Sequence, residues 1–465
     1  MTQSKKYEID MCSGAILPKM LRFTLPLMAA SLLQLLFNAA DIIVVGKLCG
    51  DHSMAAVGSN GALVNLLTNF FIGLATGVNV LAARFYGSKS DEDLSKTVHT
   101  SILLSVIGGV FLTFIGLFGA VGMLKLMSTP EEIIDLAALY LRIYFLGMPA
   151  VTIYNFGSAI LRSVGDTKRP LYYLATAGVL NVILNIIFVA FFNLDVAGVA
   201  LATIITQTLS AFLVVRCLMK ESGAIKLELK KLRIDKNKLL QIIRIGLPSG
   251  LQGTLFSLSN VVIQSSINIF GDIVVAGNSA AANLEGFVYV AMNSFAQAVV
   301  SFTSQNFGRH NFKRIIRIQL IGQACSFVTG IVLGNTLTYF GNKLLWIYSD
   351  TQAVVDAGVI RFDYIASPYF LCGIMDCLSM GMRGIGYSIL PMIVSLVGAC
   401  LLRLVWLATV FQIPSMHVIE TVYLSYPITW IATALVHLLC FVLAMRKLRK
   451  KFPDAEDEKE AEVIA

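Results

Sequence analysis

MLRFTLPLMAASLLQLLFNAADIIVVG, residues 20–46, is long enough and apolar enough to cross a bilayer as a helix. It nevertheless carries an acid, Asp41, in its second half, with Gln34 and Asn38 before it. Helical spacing puts positions 34, 38 and 41 on one face. A carboxylate at membrane depth costs ~2.5–3.5 kcal/mol on insertion scales, so an acid there is a functional candidate unless it snorkels or caps near the helix end. The apolar run Ile42, Ile43, Val44, Val45 still follows it, which favours the functional reading.

The rest of the chain repeats this apolar pattern. Of 465 residues, 56% are hydrophobic and only 14% charged, whereas a soluble domain carries about a quarter charged residues. Twelve apolar segments are predicted: 20–46, 54–80, 96–120, 136–160, 170–192 and 196–219, then, after a polar break, 240–268, 276–303, 315–340, 358–382, 388–411 and 418–445. Their lengths suit tilted spanning helices. Only helices and closed barrels cross lipid, and alternating ten-residue strands are absent, so the fold class is an all-α membrane protein with twelve transmembrane helices. The opening residues MTQSKKYEIDMCSG lack the apolar region of a cleavable signal.

Lys and Arg are unevenly distributed, and that bias sets orientation. If the N-terminus is cytoplasmic, one side collects Lys5, Lys6, Lys19 and Arg22, then Arg84, Lys89 and Lys96, then Arg162, Lys168 and Arg169. The same side holds seven lysines and arginines between Lys220 and Lys238, Arg309 to Arg317, and the RKLRKK run from Arg446. The opposite loops hold only Lys47, Lys125 and Lys343. Both termini are therefore expected in the cytoplasm. The net charge of +8 is a topology signal facing acidic lipid headgroups, not a nucleic-acid surface. The acidic tail after Phe452 is expected to be disordered. The eight cysteines show no paired metal spacing and read as small core residues, and the five histidines form no cluster.

A shift of about 221 residues superposes the two halves. LRFTLP meets IRIGLP, ARFYG meets SQNFG, and LRSVGDTKRP (161–170) meets MRGIGYSILP (382–391). Six helices separate equivalent positions, so both copies run the same way and are related by a pseudo-twofold axis along the membrane normal. The expected organisation is a cytoplasmic tail at 1–19, a six-helix lobe at 20–219, a basic cytoplasmic linker at 220–239, a second six-helix lobe at 240–445 and a tail at 446–465.

NAADIIVVGKLCG with the following MAAVGSNGA, the loop LRSVGDTKRP, and NVILN at 181–185 resemble the multidrug and toxic compound extrusion (MATE) family. SLSNVVIQSSIN, LEGFVYV and SQNFGR in the second half are closest to its Firmicutes-type bacterial members. The resemblance covers about 16–448. It implies a transporter, not an enzyme, in the bacterial cell membrane, exporting amphipathic and often cationic compounds in exchange for H+ or Na+ by alternating access, without a cofactor. Such a chain is expected to act as a monomer. Relatives often carry Tyr where this chain has Phe37 and Asp where it has Asn185. Sodium-coupled members place an acid in the seventh segment, where the matching position here is Phe256.

The residues themselves suggest where the chemistry lies. Asp41, Asn181, Asn185, Thr203 and Thr206 fall at similar depth in segments 1, 5 and 6. One carboxylate with amides and hydroxyls suits a proton or a single Na+ at Asp41, although Asn181 and Asn185 equally suit interhelical hydrogen bonding. Gln34, Phe37 and Asn38 are candidates for a substrate cavity. In the second half, Glu285 and Arg403 lie equally deep and are expected to pair, structurally or as a gate, against the alternative of a substrate-facing Glu. Asp376 lies deeper, with no partner visible, and with Glu285 and Arg403 is a candidate for the substrate cavity or a gate. Gly147, Pro149, Pro248, Pro368 and Pro391 should interrupt helices, while Pro26 and Pro248 read best as helix starters. The competing function is a flippase for a lipid-linked saccharide or other amphiphile; the few intramembrane basic residues disfavour its need for a pyrophosphate site. No filter, P-loop or nucleophile–base set supports a channel or an enzyme.

Overall fold

The structure, a computed structural model, describes residues 7–127 and 129–452. Lys5, Lys6 and the acidic tail from position 453 lie outside the described residues. Among the described residues there are helices and turns but no strands.

The first half runs α1 (Ile16–Leu48), α2 (Asp51–Gly87), α3 (Asp91–Leu126), α4 (Glu131–Leu146), α5 (Met148–Ser163), α6 (Lys168–Ile186) and α7 (Asp195–Lys220). The second runs α8 (Lys236–Asn268), α9 (Asp272–Gly308), α10 (Phe312–Leu345), α11 (Gln352–Arg361), α12 (Phe370–Gly384), α13 (Ile389–Ser395), α14 (Leu402–Ala408) and α15 (Ile419–Lys451). Among the described residues, nine helices are long and apolar enough to cross a membrane, or eleven if each of two bent pairs counts as one span. The expected segment at 240–268 falls in α8, which is 33 residues long but too polar to pass that test.

The bends have identifiable causes. α4 and α5 meet at 48° across Gly147, with Pro149 in the first turn of α5. The second bend, 44°, lies between residue 366 and α12, around Pro368. Proline has no N–H to continue the ladder, so the chain turns where the run would otherwise be straight. Three π turns, Ile187–Phe191, Phe362–Ala366 and Leu396–Leu401, widen helices elsewhere.

The reading of Pro26 and Pro248 as helix starters needs correction. Both lie well inside their helices, α1 and α8. α1 begins at Ile16 and α8 at Lys236, so neither proline lies in a first turn.

The backbone carries the repeat in its turns. Positive φ angles recur at a spacing of 221: Gly50 (87°) and Gly271 (90°), Lys89 (58°) and His310 (56°), Gly165 (94°) and Gly386 (92°). At Gly50 and Gly271 the residue before a long helix must turn sharply, and only glycine adopts that region without a steric cost.

The chain forms two compact units. One comprises residues up to Asp10 with Ala29–Gly250; the other comprises Met11–Met28 with Leu251 onwards. The division therefore falls within α1 and α8 rather than in the linker. The linker packs with the first unit, where Ile225 and Leu227 join the core and His99 Nε2 accepts from the Glu228 N–H at 3.1 Å.

Within the first unit, Gly73 and Gly77 of α2 meet Gly246 and Gly250 of α8 backbone to backbone. A Cβ on Gly73 would lie 2.2 Å from the Gly250 nitrogen. Small residues four apart on both helices give the close approach that drives association in lipid, where apolar side chains gain nothing by leaving solvent. Within the second unit, Phe23 packs edge-on against Phe302 with centroids 5.7 Å apart. Gly334 lets α10 lie against the Ala366 carbonyl, 2.2 Å from where its Cβ would be.

Candidate functional site

In the first unit, α1, α6 and α7 converge on Asp41. The i, i+4 spacing on α6 turns Asn181 and Asn185 the same way, and both are buried. Asn185 Nδ2 donates to Asp41 Oδ1 at 2.5 Å and contacts Asn181 Oδ1 at 3.3 Å. Asn181 Nδ2 reaches Thr203 Oγ1 at 3.4 Å, and Thr203 donates to the Val199 carbonyl at 3.0 Å. Asp41, Asn185, Asn181 and Thr203 thus form one chain of polar contacts. Thr206 donates to carbonyls of its own helix and lies on the same wall. Asn185 Oδ1 is buried without a donor, which leaves a neutral oxygen beside the carboxylate.

This chain borders a cavity of about 260 Å³. Gln34, Phe37, Asn38 and Asp41 line it from α1, and Asn181, Thr203 and Thr206 from α6 and α7. Sequence reasoning missed the other walls: Asn60, Asn65 and Thr68 of α2, and Tyr140 and Tyr144 of α4. The i, i+4 repeat of the two tyrosines was the available signal; their rings stack with centroids 6.1 Å apart. They bring hydroxyls to a pocket in which Phe37 offers none. Phe37 lies flat on α6 because position 178 is glycine: a Cβ there would sit 1.8 Å from Phe37 Cε2. No Lys or Arg is among the lining residues, so Asp41 is the lone charge of this pocket.

The second unit is arranged differently, and the expected Glu285–Arg403 pair is not formed. Glu285 is gripped by Arg361, Nε to Oε1 at 3.0 Å and Nη2 to Oε2 at 2.7 Å. Arg361 Nη1 also donates to Asn278 Oδ1 at 2.6 Å, and the Tyr423 hydroxyl reaches the same oxygen at 3.3 Å. Arg403 instead donates from Nη2 to Thr429 Oγ1 at 3.1 Å and lies under the Tyr426 ring. Depth in the membrane was the only coordinate that the sequence offered. Arg403 follows a π turn, so its direction is not set by a regular 3.6-residue period. Asp376, on α12, lies beside Tyr289 and Asn293 of α9, with Arg383 one helical stretch below. Phe256 packs against the apolar cluster that contains Met375 and Trp430.

The comparison with known families divides the chain in the same way. The MatE family model matches residues 26–187 and again 248–409.

The chain belongs to the MatE family.

Members of this family are membrane transporters, not enzymes, and this MatE protein is accordingly a multi-pass membrane protein. It is similar to the probable multidrug resistance protein YoeA of Bacillus subtilis, 29% identical over 80% of this chain and 82% of that one. It is also similar to the multidrug export protein MepA of Staphylococcus saprophyticus, 23% identical over 78% and 80%. Among solved structures, a crystal structure of MATE in complex with MaL6 superposes with a TM-score of 0.89, at 22% identity, over 97% of this chain and 100% of that one. An outward-facing multidrug resistance MATE family transporter superposes with a TM-score of 0.88 over 97% and 99%. At such identities these structures establish the shared fold.

Proposed function

We propose that this MatE protein is a secondary multidrug exporter of the bacterial cell membrane. It exchanges amphipathic, often cationic compounds for H+ by alternating access, with both termini in the cytoplasm. The observation that carries this reading is Asp41: one carboxylate, alone in charge, at the edge of a cavity walled by aromatic rings, amides and hydroxyls. Apolar walls with a few placed polar groups are what small-molecule sites are made of, and one acid gives a cationic amphiphile its counter-charge. YoeA and MepA, both named for multidrug resistance or export, support the substrate class.

Asp41 also serves coupling. A ligand moves a conformational equilibrium only through unequal affinity for its states. A proton taken up by Asp41 from outside removes the charge that holds a cation, and its release inside restores it. Asn185, held in turn through Asn181 and Thr203, keeps the carboxyl oriented. The lone acid of this pocket and the apolar Phe256 in the seventh segment favour H+ over Na+. In proteoliposomes, efflux of a cationic dye should follow an imposed pH gradient without sodium, one pH unit supplying ~1.4 kcal/mol. Efflux driven only by a sodium gradient would place the alkali cation at Asp41 and Asn185 Oδ1 instead.

A further inference from the structure

The second unit contains a buried cation that no acid among the described residues balances. Arg403 is 3% exposed, yet its hydrogen bonding stops at Thr429 Oγ1, and its Nε has no acceptor. Among the described residues it joins no ion pair. Glu285 already uses both oxygens on Arg361, and Asp376 sits with Tyr289 and Asn293. What covers the guanidinium is the Tyr426 ring, with Cζ 3.9 Å from its centroid. A cation–π contact returns only a part of what an ion loses when it leaves water. Arg361 is the contrast, since it satisfies three nitrogens on Glu285 and Asn278.

The surroundings are built for more than packing. Trp430 stands edge-on to Tyr426 at 5.7 Å and 5.4 Å from Tyr369, which in turn lies 6.5 Å from Tyr289. Tyr426 and Tyr369 are only partly buried and Tyr289 is 37% exposed, so this aromatic wall has an open side. The π turn Leu396–Leu401 runs directly into the helix that carries Arg403. Such turns cost helical hydrogen bonding and concentrate where a side chain must be aimed.

We infer that Arg403, Thr429 and the wall of Tyr369, Tyr426 and Trp430 form a binding site for the carboxylate of an aromatic substrate. A guanidinium presents Nε–H and Nη–H as a planar fork that matches the two oxygens of a carboxylate. The substrate's ring then stacks on the exposed aromatic faces. The site is separate from the Asp41 pocket and of opposite charge. It adds acidic and zwitterionic aromatics to the cations of the first unit, and it does not rest on the coupling reading given above.

The test is a titration of the full-length protein in nanodiscs with 2-naphthoate, using 2-naphthylmethylammonium as a control of equal size and opposite charge. The wild type should bind naphthoate saturably, read as tryptophan quenching and a rise in Tm. Arg403→Gln should weaken that binding about tenfold or more while ammonium binding stays within about twofold, and Arg403→Lys should fall between. Equal naphthoate affinity in the wild type and Arg403→Gln overturns the site, as does a wild type that binds no naphthoate at several millimolar. Should Arg403→Gln fail to fold, Thr429→Val decides: it keeps shape but removes the hydroxyl that orients Nη2, and unchanged naphthoate affinity overturns the site. Inorganic phosphate competing as well as naphthoate overturns the aromatic carboxylate as its ligand.

Discussion

Two acids at membrane depth, one in each copy of the repeat, are held in opposite ways. In the first unit Asp41, the single charge of its pocket, is held by an amide and surrounded by neutral oxygens. In the second, Glu285 is locked by both arms of a guanidinium, and a further guanidinium, Arg403, is left over. A carboxylate with neutral partners can gain or lose a proton without stranding another charge. A carboxylate in a bidentate ion pair cannot, because protonation would leave a buried cation alone. Asp41 is therefore suited to a changing charge and Glu285 to a fixed one, while Asp376, held by Tyr289 and Asn293, belongs with Asp41.

The sharpest way to break this contrast is Asp41→Asn, which keeps size and hydrogen bonding but cannot titrate. Gradient-driven dye export should fall to background in a protein that still inserts and folds, while Asp41→Glu retains part of it. A fully active Asp41→Asn protein would move the coupling role to Asp376 or Glu285.

The next test concerns the fixed pair. Glu285→Gln or Arg361→Met alone should destabilise the protein by ~3–5 kcal/mol, seen as a lower Tm and yield, because each strands a buried charge. Exchanging the two charges should recover part of the loss. Losses that simply add, with no recovery, would show that the two side chains act independently. Neutralising Arg403 should cost less than either, since its partners are a hydroxyl and a ring.

Smaller effects sharpen the first unit. Gly178→Ala places a methyl 1.8 Å from Phe37 and must push that ring toward the cavity. Export of a bulky dye should drop several-fold more than export of a small cation; equal losses would point to general misfolding. Asn185→Ala removes the donor to Asp41, worth ~1–3 kcal/mol for a charged acceptor. A shift in the pH profile of export is expected with about tenfold loss, and an unmoved profile would reduce Asn185 to a packing residue.

Much of the first pocket was legible in the sequence for a physical reason. Asp41, Asn181 and Asn185 lie on regular helix, where spacing fixes direction, so residues 34, 37, 38, 41, 181 and 203 could be placed together before any coordinates. The second cluster was not legible. Arg403 follows a π turn, and a turn that adds a residue rotates everything after it out of the expected register, while nothing in the sequence spacing paired Arg361 of α11 with Glu285 of α9. Tyr140 and Tyr144 escaped because aromatic residues on an apolar helix are usually plain packing. Pro26 misled because a proline near the start of an apolar run is ordinarily a helix starter. The 221-residue repeat was readable at both levels, first as matched strings and then as matched turns.

α1 passes from one compact unit to the other after Met28, and α8 passes the opposite way after Gly250. A gene encoding a single copy of the repeat would make a chain whose leading half-helix has no surface of its own to pack on. Two such chains satisfy each other only by trading those half-helices, an intermolecular exchange of identical elements. In this chain the leading part of each of the helices at 16–48 and 236–268 belongs to the unit that the other helix's trailing part completes.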